Sequence, residues 1–158
     1  MYICSLQGCG LVKKLLILEM ISFQAEGVAI PDFDVAKTCR WLTEVAAGYD
    51  RIVGEMTYLF CDEEKILDVN REFLNHDYYT DIITFDYSVG NRVGGDILIS
   101  LDTVRSNARE LGVPHQEELY RVIVHGLLHL CGLKDKTEKE RESMEMAENE
   151  ALDKLSSI

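Results

Sequence analysis

Residues 115–132 read HQEELYRVIVHGLLHLCG. Pro114 precedes this stretch and Gly132 closes it, and residues of these two types mark the start and the end of a helix. Apolar side chains fill so many positions that much of this helix has to be buried; they are Leu119, Val122, Ile123, Leu127, Leu130 and Cys131. The sequence therefore predicts a central helix against which the rest of the chain packs.

The segments on either side of this helix predict an α+β fold. Strands are predicted at 22–29, 54–61, 82–87 and 96–100, the last two joined as a hairpin by a turn at 90–95. Helices are predicted from Asp32 or Asp34 to about Ala47, from Asp62 through Phe73, from Ser100 or Asp102 to Leu111, and from a capping box at Thr137 and Glu140 to about Lys154. No internal repeat or linker interrupts this series, so we expect one domain with a mixed sheet and helices packed on it.

Two histidines of the central helix are spaced for metal binding. His125 and His129 are four residues apart, which places them about 6 Å apart on one helix face. Gly132 can take the left-handed conformation that ends a helix, and the chain can then bring Asp135 back toward the histidines. Two imidazoles and one carboxylate form a known catalytic zinc set that leaves a fourth position open. The alternative is that each histidine only satisfies a hydrogen bond in the core.

Gly126 occupies the position at which zinc peptidases of the HExxH type carry their catalytic glutamate. A peptidase mechanism of that type is therefore unsupported. A residue this small instead allows another element, or a substrate, to approach the metal closely.

The composition limits the partners and the compartment. A formal charge of −12 argues against broad adhesion to nucleic acid or to an anionic membrane, although it does not exclude a local basic site. Five cysteines without CxxC spacing indicate neither a disulfide framework nor a cysteine zinc site. No segment approaches the roughly 20 apolar residues of a membrane span. We therefore expect a cytoplasmic protein without a membrane or DNA partner.

Three blocks of this sequence resemble signatures of the YbeY family of bacterial endoribonucleases. HGLLHLCGLKD resembles the family's HGxLHLxGxDH, VNREFLNHDYYTDIITFDY resembles LNxxFRxxDxxTDVLSFP, and GGDILIS resembles LGDIxIS. The resemblance begins at about Met20, which leaves residues 1–19 as an N-terminal extension and 20–158 as a single family-like domain. It implies a mixed, roughly four-stranded sheet with about five helices and a metal site at the end of the central helix.

The same resemblance implies a function. It implies one Zn²⁺ per chain held by His125, His129 and Asp135, and cleavage of single-stranded RNA in ribosomal RNA maturation and ribosome quality control. Ribosomal RNA and the small ribosomal subunit or its assembly proteins would be the partners. Two other functions stay open, namely a ribosome assembly or RNA-binding factor with weak or no cleavage activity, and a metallohydrolase of another small substrate.

Two positions depart from the family pattern. Asp135 stands where the family has its third histidine, which makes the site less positive by one charge. Leu74 stands where the family has an arginine suited to binding a phosphate with two hydrogen bonds. Arg71 and His76 are the candidates for a replacement cation, and Arg121 is a further catalytic candidate. Glu118 and Arg121 could also support the metal ligands from behind, although ordinary surface pairs explain such residues as well.

Other residues of the matching blocks have simpler explanations beside a functional one. Four aromatic residues could stack on bases of single-stranded RNA; they are Tyr78, Tyr79, Phe85 and Tyr87. Core packing is the simpler role of Phe85. Asp81 and Asp96 match family positions at which a turn or a cap explains an aspartate equally well. The charged helix that follows Thr137 is expected to present a solvated face.

Overall fold

The computed structural model describes residues 20–73 and 80–158. Its four strands are β1 (Ile21–Ala25), β2 (Ile52–Cys61), β3 (Ile82–Asp86) and β4 (Arg92–Ser100). The five helices of these residues are α1 (Val35–Gly48), α2 (Glu63–Phe73), α3 (Leu101–Leu111), α4 (His115–Leu130) and α5 (Glu138–Ser156). The predicted number of strands and helices is therefore confirmed for the described residues.

The strands form one mixed sheet in the order β1-β2-β4-β3. β1 pairs with β2 and β2 pairs with β4 in parallel, whereas β3 and β4 pair antiparallel. Parallel neighbours need a crossover connection, and α1 makes it between β1 and β2. The α+β class, the mixed sheet and the β3–β4 hairpin are confirmed.

The central helix predicted at 115–132 is α4, and most of its length is buried. Its buried apolar residues are Leu119, Val122, Ile123, Val124, Leu127, Leu128 and Leu130. The hydroxyl of Tyr58 on β2 donates a hydrogen bond to the carbonyl oxygen of Ile123 at 2.9 Å, which ties the helix to the sheet.

At Gly126, α4 packs tightly against the sheet. A Cβ atom at this position would lie 2.9 Å from Cγ2 of Ile97 and 3.1 Å from Cδ1 of Ile82. The small residue therefore lets α4 pack against β3 and β4, and it is the sheet rather than a substrate that lies against Gly126.

Two predicted boundaries were wrong. The predicted turn at 90–95 included residues that belong to β4, which begins at Arg92. A Cβ atom at Gly95 would collide with the carbonyl oxygen of Phe85 on the neighbouring strand β3. This glycine therefore marks a close approach of two backbones within the sheet. The first strand ends at Ala25 rather than at residue 29, because the backbone of Gly27 turns through a positive φ of 73°.

Side-chain caps fix the helix starts. Of the alternatives given by the sequence, Asp34 caps α1 and Ser100 caps α3, each accepting a hydrogen bond from the backbone three residues later. Asp62 accepts one from the amide of Lys65 at the start of α2. The predicted capping box of Thr137 and Glu140 is confirmed at the start of α5.

Helix α5 packs back on the body of the protein. Its buried residues are Met144, Ala147, Glu148, Ala151 and Leu155. The indole Nε1 of Trp41 on α1 donates a hydrogen bond of 2.7 Å to the carbonyl oxygen of Ala151, which fixes α5 beside α1 and α4. Among the described residues, no helix is both long and apolar enough to cross a membrane.

Candidate metal centre

The two histidines lie in the last two turns of α4, and the turn behind the helix brings Asp135 to them. Gly132 takes a positive φ of 101°, and the amide of Leu133 donates to the carbonyl oxygen of Leu128 at 3.0 Å. This is the hydrogen bond that closes a helix ending in a left-handed residue. The predicted use of Gly132 as the stop before Asp135 is therefore confirmed.

Three ligand atoms converge at this point. Nε2 of His125 lies 2.9 Å from Nε2 of His129. Oδ2 of Asp135 lies 3.3 Å from each of these nitrogens. His125, His129 and Asp135 thus form a group that could hold a metal ion.

The dimensions of this triangle fit zinc. Ligand atoms at 2.0–2.1 Å from a tetrahedral ion are about 3.3 Å from one another, and the observed separations of 2.9 and 3.3 Å are close to that value. Two nitrogens and one carboxylate oxygen leave the fourth tetrahedral position open. The Asp135 side chain is 38% exposed, so this group of residues is in contact with solvent.

The outer nitrogens of both rings have acceptors of their own. Nδ1 of His125 lies 3.1 Å from Oε2 of Glu148, and Nδ1 of His129 lies 3.0 Å from the carbonyl oxygen of Leu133. A proton on each Nδ1 satisfies both contacts and leaves both Nε2 lone pairs directed at the same point. Since these lone pairs and the Asp135 carboxylate repel one another, the arrangement favours a cation between them.

Glu148 is the residue that the sequence reasoning missed. It lies on α5, whose charge was expected to mark a solvated face, yet Glu148 is only 8% exposed. That expectation holds for exposed acids such as Glu145 but not for Glu148. The available signal was its place in the apolar stripe, four residues after Met144 and three before Ala151.

Glu148 also connects His125 to Arg121. Nη1 of Arg121 lies 3.5 Å from Oε1 of Glu148, while the other carboxylate oxygen contacts the imidazole. Burial by itself lowers the pKa of His125. The hydrogen bond to Glu148 and the charges of Glu148, Asp81 and Asp135 outweigh burial, so the pKa of His125 is raised. The same negative surroundings favour a metal cation at Nε2.

A cleft of about 510 Å³ opens beside these ligands. The described residues that line it are Leu111, Val113, Glu118, Arg121, His125, Asp135, Arg141, Met144, Glu145 and Glu148. It therefore joins two candidate metal ligands, two guanidinium groups and three apolar side chains. Of the predicted supporting residues, Glu118 and Arg121 both lie at this cleft.

Asp81 immediately precedes β3 and interacts electrostatically with His125. Its carboxylate accepts a hydrogen bond from Nδ2 of Asn107 at 3.4 Å, and its carbonyl oxygen accepts one from the amide of Ser100. Burial is the main reason that the pKa of Asp81 is raised, and the positive charge of His125 opposes that shift. Asp81 thus joins the hairpin to α3 and adds negative charge near the metal ligands.

The other predicted residues lie away from this cleft or outside the described residues. Arg71 is exposed in the last turn of α2 and is not among the described residues lining the cleft. Phe85 packs edge-on against Phe73 with ring centroids 6.0 Å apart, while Tyr87 is 65% exposed. Asp96 pairs with Thr57 within the sheet. Four predicted residues lie outside the described residues, namely Leu74, His76, Tyr78 and Tyr79.

Comparison with known proteins identifies the family. The family model described as "Endoribonuclease YbeY" matches residues 20–156. The endoribonuclease YbeY of Phocaeicola vulgatus is 60% identical over 133 residues, which cover 84% of this chain and 96% of that protein. That of Porphyromonas gingivalis is 58% identical over 135 residues, or 85% of this chain and 89% of that protein.

A solved structure agrees with this assignment. The solution structure of TM1509 from Thermotoga maritima is similar with a TM-score of 0.59 and 27% sequence identity. The similarity covers 86% of this chain and 89% of that one. Both the sequence and the fold that bring His125, His129 and Asp135 together therefore have well-defined relatives. The chain belongs to the endoribonuclease YbeY family.

Proposed function

We propose that this protein is a zinc-dependent endoribonuclease that cleaves single-stranded RNA in the cytoplasm. The proposed substrate is ribosomal RNA, during its maturation and in ribosome quality control, with the small ribosomal subunit or its assembly proteins as partners. Convergence of His125, His129 and Asp135 beside a cleft is the observation that carries the proposal, together with family membership. We further propose that 20–158 is the single catalytic domain and that 1–19 is an extension to it.

In this proposal the three ligands hold one zinc ion, and the rest of the site keeps them in place. A zinc ion there supplies a Lewis acid for a phosphodiester oxygen and lowers the pKa of water toward neutrality. Glu148 and the carbonyl oxygen of Leu133 orient the two imidazoles through their Nδ1 atoms. Because Asp135 replaces a neutral ligand by an anion, it reduces the net charge of the loaded site by one.

Arg121 is the proposed phosphate-binding residue. It lies one helical turn before His125, and its side chain is 22% exposed at the cleft. One of its five N–H groups is directed at Glu148, which leaves the outer part of the planar fork for a phosphate oxygen. This position would supply the cation that Leu74 does not.

Contact with RNA is proposed to be local because the protein carries a formal charge of −12. A long RNA is repelled by most of such a surface, so attraction has to come from the metal and from cationic groups near it. Arg121 and Arg141 both line the cleft and provide these groups. A single-stranded segment can enter such a cleft more readily than a rigid duplex.

The proposal is tested by RNA cleavage with purified, full-length protein. The protein is loaded with zinc or stripped of it by a chelator, and it is then incubated with a labelled single-stranded RNA or with the same RNA annealed to its complement. We expect endonucleolytic cutting of the single strand that needs zinc and is lost in His129→Ala. His115→Ala is the matched control, because His115 is exposed at the other end of the same helix.

Leu74 stands where the family has an arginine, and this favours one other function, a ribosome assembly factor that binds RNA but does not cut it. Zinc-independent binding to the small ribosomal subunit without cleavage would support that function and contradict the nuclease proposal. Cleavage that is equal in His129→Ala and in the unchanged protein would contradict it as well.

A further inference from the structure

Glu118 lies buried in the wall of the cleft with an oxygen that has no partner. The residue is only 4% exposed, and among the described residues no donor reaches its Oε2 atom. It lines the same cleft as His125 and Asp135. A buried acceptor without a partner is destabilising, so its position needs a reason other than folding stability.

The surrounding side chains do not provide that partner. Arg121 follows one turn later, but its guanidinium donates to Oε1 of Glu148 at 3.5 Å. Burial first, and then the charges of Asp81, Glu148 and Glu117, raise the pKa of Glu118 against the opposing effect of Arg121. The Glu118 carboxylate therefore lies among other acids, and hydrogen bonds from a ligand with N–H donors would stabilise its charged form.

The shape and lining of the cleft restrict the chemistry of that ligand. Apolar side chains of Leu111, Val113 and Met144 share the wall with Glu118. Such surfaces pack against the face of a flat ring, while a carboxylate accepts hydrogen bonds from the ring's edge. The volume of about 510 Å³ lies within the range of small-molecule sites. A nucleobase offers a flat face and a polar edge together.

The spacing along α4 assigns this base to a nucleotide beside the one that is cut. Glu118 and His125 are seven residues apart, which corresponds to about 10 Å along the helix axis. This is too far for Glu118 to exchange a proton at the metal. It is a suitable distance for binding the base of a neighbouring nucleotide while the scissile phosphate lies at the metal ligands.

We propose that this cleft is a base-recognition subsite in which Glu118 binds the Watson–Crick edge of a guanine adjacent to the scissile phosphate. This inference rests on the proposed nuclease function. Guanine presents a ring N–H and an amino group side by side, so two donors meet the two oxygens of one carboxylate. Adenine and cytosine place a ring acceptor beside the amino group, and uracil flanks its single N–H with carbonyl oxygens, so each would direct a lone pair at the carboxylate.

The test uses zinc-loaded, full-length protein and oligouridylates that contain one guanosine, adenosine or inosine at a chosen position. We expect cutting at a fixed spacing from the guanosine, roughly 10- to 100-fold faster than cutting beside adenosine. Inosine lacks the amino group and should give an intermediate rate. Glu118→Gln should abolish the preference for guanosine, whereas Glu117→Gln, an exposed change of the same charge on the same helix, should retain it.

Two results would overturn the subsite. One is cleavage by the unchanged protein that does not depend on the added base, and the other is an unaltered guanosine preference in Glu118→Gln. A complete lack of cleavage would instead contradict the nuclease proposal. In that case fluorescence anisotropy with the same oligonucleotides decides on the subsite: roughly tenfold tighter binding of the guanosine oligonucleotide supports it, and equal binding of the guanosine and adenosine oligonucleotides overturns it.

Discussion

Oε2 of Glu148 lies 3.1 Å from Nδ1 of His125, although the two residues belong to different helices. This contact crosses from α5 to α4 and makes the last helix part of the candidate metal site. The partner of the other histidine, the Leu133 carbonyl oxygen, comes from the turn that ends α4 itself. The orientation of one ligand is thus set by tertiary packing and that of the other by local backbone structure.

Replacing Glu148 should therefore weaken metal binding without removing a ligand. Glu148→Gln keeps the shape but removes the negative charge at Nδ1 of His125, and loss of such an outer partner typically lowers metal affinity about 10- to 100-fold. The affinity is measured by competition with a coloured zinc chelator. Glu145→Gln is the control, since Glu145 is exposed one turn earlier on α5. Equal zinc affinity in the two variants would contradict the role of Glu148.

Arg121 should affect RNA cleavage but not zinc content. Arg121→Lys keeps the charge and removes the planar fork, so it loses the second of two hydrogen bonds to a phosphate. We expect cleavage of single-stranded RNA to fall by about tenfold or more, a loss of roughly 1.4 kcal/mol or more in transition-state binding. Arg40→Lys, an exposed change on α1, should have no effect. A variant that cuts normally would show that Arg121 does not bind the phosphate.

Gly126→Ala should destabilise the protein, because its Cβ atom would press on the side chain of Ile97 at 2.9 Å. Overpacking of this kind costs about 1–3 kcal/mol, which lowers the thermal midpoint by several degrees. Gly48→Ala is the matched change, because Gly48 is also helical and a Cβ atom there meets nothing within 4 Å. Circular dichroism melts of both variants measure the difference, and equal midpoints would contradict the close packing of α4 on the sheet.

The burial of Glu118 predicts a pH-dependent effect on stability. The folded state raises the pKa of this carboxyl above its ordinary value of 4.5, so the folded protein holds the proton more tightly than the unfolded chain does. Glu118 therefore costs least at acid pH, and its cost grows as the pH rises from the ordinary value through the raised one. Glu118→Gln removes this titration.

The corresponding measurement is urea unfolding of both proteins at pH 4.5 and pH 7.5. We expect Glu118→Gln to gain stability relative to the unchanged protein as the pH rises, by about 1 kcal/mol or more at pH 7.5. A stability difference that is the same at both pH values would show that the Glu118 carboxyl is not held in an unfavourable environment.

Local signals in the sequence predicted much of the fold and the ligand triangle. His125 and His129 share a face because of the helical period, and Gly132 stops the helix just before Asp135. The β3–β4 hairpin follows from β-rich runs close together in the chain. These features depend on residues within a few positions of one another, which is why the sequence alone indicates them.

Contacts between distant segments were less accessible to such reasoning. Glu148 lies 23 residues after His125, and no short-range spacing joins them. Gly95 is opposite Asp86 in the strand register and lies against the carbonyl oxygen of Phe85, so its place inside β4 rather than in the turn depends on the partner strand. The sequence feature that set Glu148 apart from the other acids of α5 was its spacing, which places it in line with the apolar residues of that helix.

The most direct test of the central claim is the zinc content of the purified full-length protein, measured by mass spectrometry of the metal after dialysis. The account predicts one zinc per chain in the unchanged protein and in His115→Ala, and a large loss of bound zinc in His129→Ala. Protein that folds but retains no zinc, or the same zinc content in all three proteins, would contradict a metal centre at His125, His129 and Asp135.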